Sequence, residues 1–451
     1  MSAQVEVARY AYMPTSYRPY EPDQVMLLPA APQDWLPSGH LAYFIHDTID
    51  TLDLRAFYAR YEGGGPRNQP FHPAMMVKVL VYGYATGVFS SRRLERRLHE
   101  DLAFRMLAAG NFPKHRTIRD FRALHLKEFS ELFVQVVRLA REMGLVKLGT
   151  VAIDGTKVKA NASRHKAMSY ARMQQSEAEL KKQIDALLAR AKATDEAEAH
   201  EPDLDIPAEI ERREVRLDAI RQARERLEQR QREADAQRGR SDDDDRRPRG
   251  PDGKPRRGAR FKREFGVPED KAQENFTDPD SRIMKRAGGG FDPSYNAQTA
   301  VDEAAHIIVA AELDNTAPDA HWLLPMIDAV KDNLGALPAL GLADAGYRSE
   351  DNLRDAPIDL VVALGREGKQ HAAIDAARLP HTAAMAVKMQ TTAGRAAYRK
   401  RKWIAEPPNG WIKSVLGFRQ FSLRGLERVR AEWKLVCAAL NLRRMATLIP
   451  A

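Results

Sequence analysis

The chain has 451 residues, enough for about two to three domains with a large core. Its hydrophobic fraction of 43% is ordinary for a globular protein, and its single cysteine, Cys437, excludes an internal disulfide and a cysteine-rich zinc site. The net charge of +9 favours polyanionic partners. Because the sequence has neither an eighteen-residue apolar run nor a signal-peptide core, we expect a cytoplasmic protein without a membrane partner.

The N-terminal third is predicted to be an arm followed by a helical domain. Residues 1–65 are proline-rich and end in a glycine run before Pro66, so they predict an N-terminal arm. Residues 66–146 have helical periodicity, with Ser90 and Thr117 as candidate N-caps. A short turn before a basic helix is typical of a helix-turn-helix-like DNA-binding domain. A plain helical bundle is the alternative.

Basic residues concentrate in two regions. Ten lysines and arginines stand against four acids between Arg92 and Lys127, and ten stand against two acids between Arg395 and Arg430. Two such regions predict two surfaces for a phosphate backbone, although solvated helix faces would give the same pattern. In the helical domain the predicted DNA contacts are Arg92, Arg93, Arg96, Arg116, Arg119 and Arg122.

Three isolated acids are the candidate catalytic residues. The apolar run Val151–Ile153 predicts a buried strand that Asp154 and Gly155 end, with Lys157 directly after. A second short apolar run ends in Asp344, and Glu406 is almost the only acid in a basic helix. Carboxylates at strand ends beside lysines suit metal ions held near a phosphate, as in two-metal phosphoryl transfer.

The acids belong to a predicted mixed α/β domain made of residues 147–165 and 290–450. Strands are predicted at 295–301, 306–313, 340–343 and 358–364, and helices at 319–334 and 399–415. Residues 166–289 are predicted to be an insertion: two thin apolar stripes predict an antiparallel helical hairpin, and residues 238–263 are predicted to be disordered.

Three motifs carry a family resemblance. Asp154-Gly-Thr-Lys157, Asp344-Ala-Gly-Tyr347 and the series Tyr398, Arg401, Glu406 and Lys413 resemble bacterial insertion-sequence transposases of the DDE type. The helical segment 71–143 resembles the N-terminal domain of one large group of them. Such proteins commonly have three residues between the arginine and the glutamate, whereas four separate Arg401 from Glu406 here. Lys402 restores that spacing, so either cation is a candidate for the arginine role.

The resemblance implies a ribonuclease-H-like catalytic core, with Asp154, Asp344 and Glu406 as catalytic residues and as ligands of Mg²⁺, for which Mn²⁺ can substitute. It also implies binding to terminal inverted repeats, cleavage there, and joining of the 3′ ends to target DNA. The residues implied to contact DNA near the cut are Tyr398, Arg401, Lys402, Lys413 and Lys157. A homo-oligomer on DNA, associated with the nucleoid, is expected.

Two other functions remain compatible with the sequence. A catalytically inactive relative would act as a DNA-binding repressor, and the intact acids argue against it. A metal-dependent nuclease would cut DNA without joining strands, and a strand-joining assay distinguishes it from a transposase.

Overall fold

The protein was analysed as a computed structural model, which describes residues 32–61, 70–196, 206–242, 246–247, 260–286, 289–365 and 374–449. Most of the predicted arm and most of the stretch 238–263 therefore lie outside the described residues. The described part is mixed α/β, with helices at the N-terminal end and a mixed sheet after them, as predicted.

The N-terminal helices pack around α3, in which every residue is buried. Their bounds are α1 Leu41–Thr51, α2 Arg55–Ala59, α3 Pro73–Ala85, α4 Ser91–Glu100, α5 Leu102–Leu107, α6 His115–Leu124 and α7 Leu126–Glu142. Ser90 is the N-cap residue of α4, but α6 begins two residues before Thr117, with Lys114 at its N-cap. The Thr117 cap prediction is therefore wrong. Side chains of α1 and α2 lie in the same core as α3, so residues 41–59 belong to the helical region and not to an arm.

The main sheet combines antiparallel and parallel pairs. The strands of this sheet are β1 Thr150–Lys159, β4 Arg282–Lys285, β5 Phe291–Asp302, β6 Ile308–Asp314, β7 Leu340–Ala343 and β8 Asp359–Val362. β2 Ala167–Ser169 and β3 Gln273–Asn275 form a separate two-stranded sheet. The order in the main sheet is β4-β5-β1-β7-β8, with β6 also paired to β5. β1 is antiparallel to β5 and parallel to β7, and β7 is parallel to β8.

The later helices cover this sheet and form the predicted hairpin. They are α8 Tyr170–Glu196, α9 Ile206–Gln237, α10 Leu323–Leu334, α11 Glu350–Asp355, α12 Pro380–Gln390, α13 Thr392–Gly410 and α14 Leu426–Leu448. α8 and α9 pack on each other around a small apolar cluster separate from the main core. β2 and β3 pair at the base of the hairpin and bring its ends together. Because β4 already pairs with β5, the sheet resumes at Arg282, before the predicted boundary at 289.

Helix α14 joins the helical region to the sheet. It packs against α3 and α7 on one side and against β6 on the other. At the junction the buried carboxylate of Glu432 accepts a 2.7 Å hydrogen bond from the Tyr84 hydroxyl. Arg122 in turn donates to that hydroxyl at 2.7 Å and to the Phe89 carbonyl. The N-terminal helices and the sheet consequently share one apolar core.

Candidate active site

Asp154 and Asp344 occupy equivalent positions on neighbouring parallel strands. Ala152 of β1 pairs with Leu342 of β7, and each aspartate comes two residues later. Since paired strands lie about 4.8 Å apart, this register brings the two aspartates to the same edge of the sheet. The prediction that Asp154 ends its strand is wrong. β1 runs on to Lys159 because β5 stays paired with it, and only the pairing with β7 ends before Asp154.

Helix α13 supplies the groups that contact Asp154. An Arg401 guanidinium nitrogen lies 3.6 Å from Asp154 Oδ1, and Asn409 Nδ2 donates to Asp154 Oδ2 at 3.2 Å. Arg401 and Asn409 are each only 8% exposed. Lys402 is exposed, so it is Arg401 that lies against the candidate catalytic carboxylate. The Arg401 guanidinium also lies 5.8 Å from the centre of the Tyr398 ring.

Burial sets the electrostatics of Asp154. Loss of hydration raises the pKa of its carboxyl from 3.8 to about 6. The Arg401 charge and the Asn409 hydrogen bond lower that pKa, while the charges of Asp344 and Asp319 raise it further. Ionised Asp154 is therefore short of compensating positive charge, as expected of a carboxylate that binds a cation.

Glu406 lies on the same helix but at its exposed edge. At about 100° per residue it is about 60° around α13 from Asn409. Its side chain is exposed. Among the described residues, no three His, Cys, Asp or Glu side chains form a group ready to hold a metal ion. The convergence of Asp154, Asp344 and Glu406 on one metal site therefore stays a prediction.

Two residues that the sequence analysis missed lie at this site. Asn409 follows Arg401 by eight residues and so lies about 80° around the helix from it, and both can border the helix face that contacts Asp154; this spacing could have identified it. Asp319 was assigned only to the start of a helix, yet its carboxylate accepts hydrogen bonds from Asn296 and Gln298 of β5. Two fully buried polar side chains at alternate strand positions require a partner, and that was the available signal.

The predicted DNA contacts have different surroundings. Arg92, Arg93, Arg96, Arg116 and Arg119 are exposed on α4 and α6. Arg122 is 4% exposed and committed to the junction with α14, so its predicted role as a DNA contact is wrong. The position of Arg122 on the basic helix could not predict its burial, because its partner Glu432 lies 310 positions away in sequence.

Lys157 and Lys413 border a cationic cavity beside Asp154. Lys157 forms a 3.0 Å ion pair with Asp319. Lys413 donates to the Thr156 hydroxyl and to the Lys157 carbonyl, and burial lowers the pKa of its ammonium group. The cavity has a volume of about 420 Å³. Its other basic lining residues are Lys159, Arg286 and Arg419.

Comparison with known families identifies the chain. A family model described as a transposase domain (DUF772) matches residues 31–124, and the transposase DDE domain matches residues 262–442. The second match contains Asp344 and Glu406. The chain belongs to the DDE-type transposases of insertion sequences. It is thus a DNA transposase, a metal-dependent polynucleotidyl transferase, and its DDE domain implies a ribonuclease-H-like fold.

Searches among curated proteins and among solved structures returned no match. Within the described ranges, no helix has the length and apolar character needed to cross a membrane.

Proposed function

We propose that this transposase binds the terminal inverted repeats of an insertion sequence, cleaves the DNA there and joins the freed 3′ ends to target DNA. The observation that carries the proposal is the shared register of Asp154 and Asp344 at one edge of the sheet, beside Arg401. Two adjacent carboxylates with little positive charge around them repel a phosphate group. They can therefore accept the reacting phosphate only if bound cations accompany the phosphate.

The donor groups at this edge fit a hard divalent cation. They are carboxylate oxygens together with the Asn409 carbonyl oxygen, which is buried without a hydrogen-bond partner among the described residues. Asp154, Asp344 and Glu406 would hold Mg²⁺, with Mn²⁺ able to substitute. When bound, the cations activate the attacking oxygen and stabilise the leaving one.

The chain's own residues then have distinct roles. Arg401 lies against Asp154, and it would bind a phosphate oxygen of the DNA, for which its planar guanidinium is suited. Glu406 reaches the site from the exposed edge of α13 by rotation of its side chain. Tyr398 and Lys402 contact the flanking strand, and Lys413 and Lys157 face its phosphates across the cationic cavity.

Recognition of the DNA ends is assigned to the N-terminal helices. The exposed arginines of α4 and α6 would contact duplex phosphates and fix the position of the protein on the repeat. Cleavage at two ends of one element requires two such sites, so we propose a homo-oligomer on DNA.

The test uses inverted repeats located in the DNA that flanks the reading frame. The full-length protein is incubated with a labelled repeat-containing duplex and a target plasmid, with MgCl₂ or with EDTA. We expect metal-dependent cleavage and joined products from the wild type. Asp344→Asn should bind the duplex normally but not cleave it, because it loses a metal ligand and no DNA contact.

The other possible outcomes of this assay would indicate a different function. Binding to the repeat without cleavage by the wild type would indicate a repressor, and cleavage without joining would indicate a nuclease. Glu406→Gln tests the third acid separately. If this variant cleaves at the wild-type rate, Glu406 is not a metal ligand.

A further inference from the structure

Asp319 is held rigidly at the candidate active site by its neighbours. Its Oδ1 atom accepts hydrogen bonds from Asn296 Nδ2 at 2.8 Å and from Gln298 Nε2 at 2.8 Å. Lys157 Nζ donates to the same oxygen at 3.0 Å. Asp319 directly precedes a short 3-10 helix but makes no hydrogen bond that caps it. Its side chain is therefore committed to the sheet and not to its own helix.

The amide of Gln298 has no freedom to turn away. Its Nε2 also donates to Asn296 Oδ1 at 3.0 Å, and its Oε1 accepts from the Tyr347 hydroxyl. Three elements of the fold thus fix the orientation of one carboxylate. A catalytic group has to be held in one geometry by its neighbours, and this network holds the Asp319 carboxylate in that way.

The glycines of both aspartate motifs lie against Asp319. A Cβ atom added to Gly155 would come within 2.7 Å of Asp319 Oδ1, so no larger residue fits directly after Asp154. A Cβ added to Gly346 would lie 2.9 Å from Asp344 Oδ1 and 3.4 Å from Asp319 Oδ2. Asp344 Oδ1 accepts a 2.7 Å hydrogen bond from the Gly346 backbone N–H, so the carboxylates of Asp319 and Asp344 both border the small space beside Gly346.

An independent observation indicates that a ligand belongs at this edge. Asn409 is more than nine-tenths buried, and its Nδ2 donates to Asp154. The Oδ1 atom of the same amide has no hydrogen-bond partner among the described residues. A buried acceptor without a partner destabilises the fold, and a bound cation or its water shell would supply the missing partner.

We propose that Asp319 is a further carboxylate of the catalytic centre. Its Oδ2 atom, to which no described residue donates a hydrogen bond, would position the hydrated divalent cation that Asp344 would bind. Gly155 and Gly346 leave the space that this arrangement requires. The inference rests on the proposed metal-dependent function. It makes Asp319 a positioning residue, acting through the water shell of the cation.

The first test measures metal affinity, which does not depend on turnover. Full-length metal-free protein is titrated with MnCl₂ in a calorimeter, and Asp319→Asn is compared with the wild type. Asparagine keeps the Oδ1 acceptor for its three donors, so the variant should unfold in EDTA at nearly the wild-type denaturant concentration. Loss of the charged Oδ2 should weaken Mn²⁺ binding about 10- to 100-fold. Asp328→Asn, an exposed acid on α10, is the matched control and should bind Mn²⁺ normally.

The second variant keeps every carboxylate group but crowds two of them, because a Cβ atom at position 346 would lie 2.9 Å from Asp344 Oδ1 and 3.4 Å from Asp319 Oδ2. Gly346→Ala inserts only a methyl group between Asp344 and Asp319, so it should also weaken Mn²⁺ binding. Wild-type affinity in both Asp319→Asn and Gly346→Ala would overturn the role of Asp319 while leaving the proposed function intact. If the wild type itself shows no Mn²⁺ binding and no metal-dependent cleavage, both the inference and the proposed function fail.

Discussion

Replacing the half-buried acid Asp154 with asparagine should stabilise the metal-free protein while destroying its activity. Burial raises the pKa of Asp154 above its ordinary value, which means that the fold favours the neutral form. The wild type therefore loses stability as the pH rises through the interval from 3.8 to about 6, where the unfolded and then the folded protein ionise. Asparagine is always neutral and can still accept the hydrogen bond from Asn409.

The expected gain in free energy of unfolding follows from the pKa values of Asp154 in the unfolded and the folded protein. Each pH unit by which a folded-state pKa exceeds the unfolded value corresponds to about 1.4 kcal/mol. A rise from 3.8 to about 6 then corresponds to about 3 kcal/mol at pH 7.5. The side chain of Asp154 is only 19% exposed, so solvent screening reduces this figure little. Below pH 4 the two proteins should be nearly equal in stability.

The assay is urea unfolding in EDTA, followed by tryptophan fluorescence at pH 7.5 and at pH 4. At each pH the free energy of unfolding of the wild type is subtracted from that of Asp154→Asn, and the two differences are compared. The contributions of most other titratable groups cancel in this comparison because both proteins contain them. Asp328→Asn provides the baseline for an exposed acid, for which we expect less than about 0.5 kcal/mol. If Asp154→Asn is no more stable than the wild type at pH 7.5, the desolvation argument for this site is refuted.

Three further predictions concern the rest of the molecule. Arg122→Met should destabilise the protein by about 3 kcal/mol in urea unfolding, because it leaves the buried carboxylate of Glu432 without its cation; a neutral result would mean that the junction does not depend on this charge. Arg93→Ala should lower the slope of log affinity against log salt concentration by about one unit in a DNA-binding titration, and an unchanged slope would exclude a phosphate contact. Replacing α8 and α9 with a Gly/Ser linker removes the arginines that pair with the buried acid Glu274, so the deletion is combined with Glu274→Gln. The combined variant should fold and should retain metal-dependent cleavage. Loss of folding in that combined variant would place the hairpin in the core.

The sequence was sufficient for elements that follow periodic patterns. The bounds of β7 match the short run Leu340–Ala343 that precedes Asp344, and α8 and α9 lie where the two apolar stripes predict helices. Both signals are local, because periodicity reports which side of one element meets apolar surroundings. Asp344 was placed directly after a strand in the same way, whereas β1 continues past Asp154.

Features that depend on distant partners were missed. The length of β1 is set by its pairing with β5, more than 130 residues later, and a stretch such as Thr156–Lys159 is too polar to indicate a strand. Arg122 belongs to a helix face rich in arginine, so nothing in its neighbourhood distinguishes a buried arginine from an exposed one. Asp319 acquires its hydrogen-bond donors Asn296 and Gln298 only when β5 folds beside it.

The shared core around α14 also bears on where the DNA is cut. If the exposed arginines of α4 and α6 grip the repeat, α3, α7 and α14 hold them at a constant separation from Asp154 and Asp344. Duplex DNA advances about 3.4 Å per base pair, so a constant separation corresponds to a constant number of base pairs. The distance between the repeat-binding helices and the candidate active site would then determine where the DNA is cut. The position of the cut relative to the repeat would depend on helix packing and not on recognition of the bases at the cut itself. A mutation that weakens the packing around Glu432 would therefore spread cleavage over several neighbouring positions before it abolished cleavage.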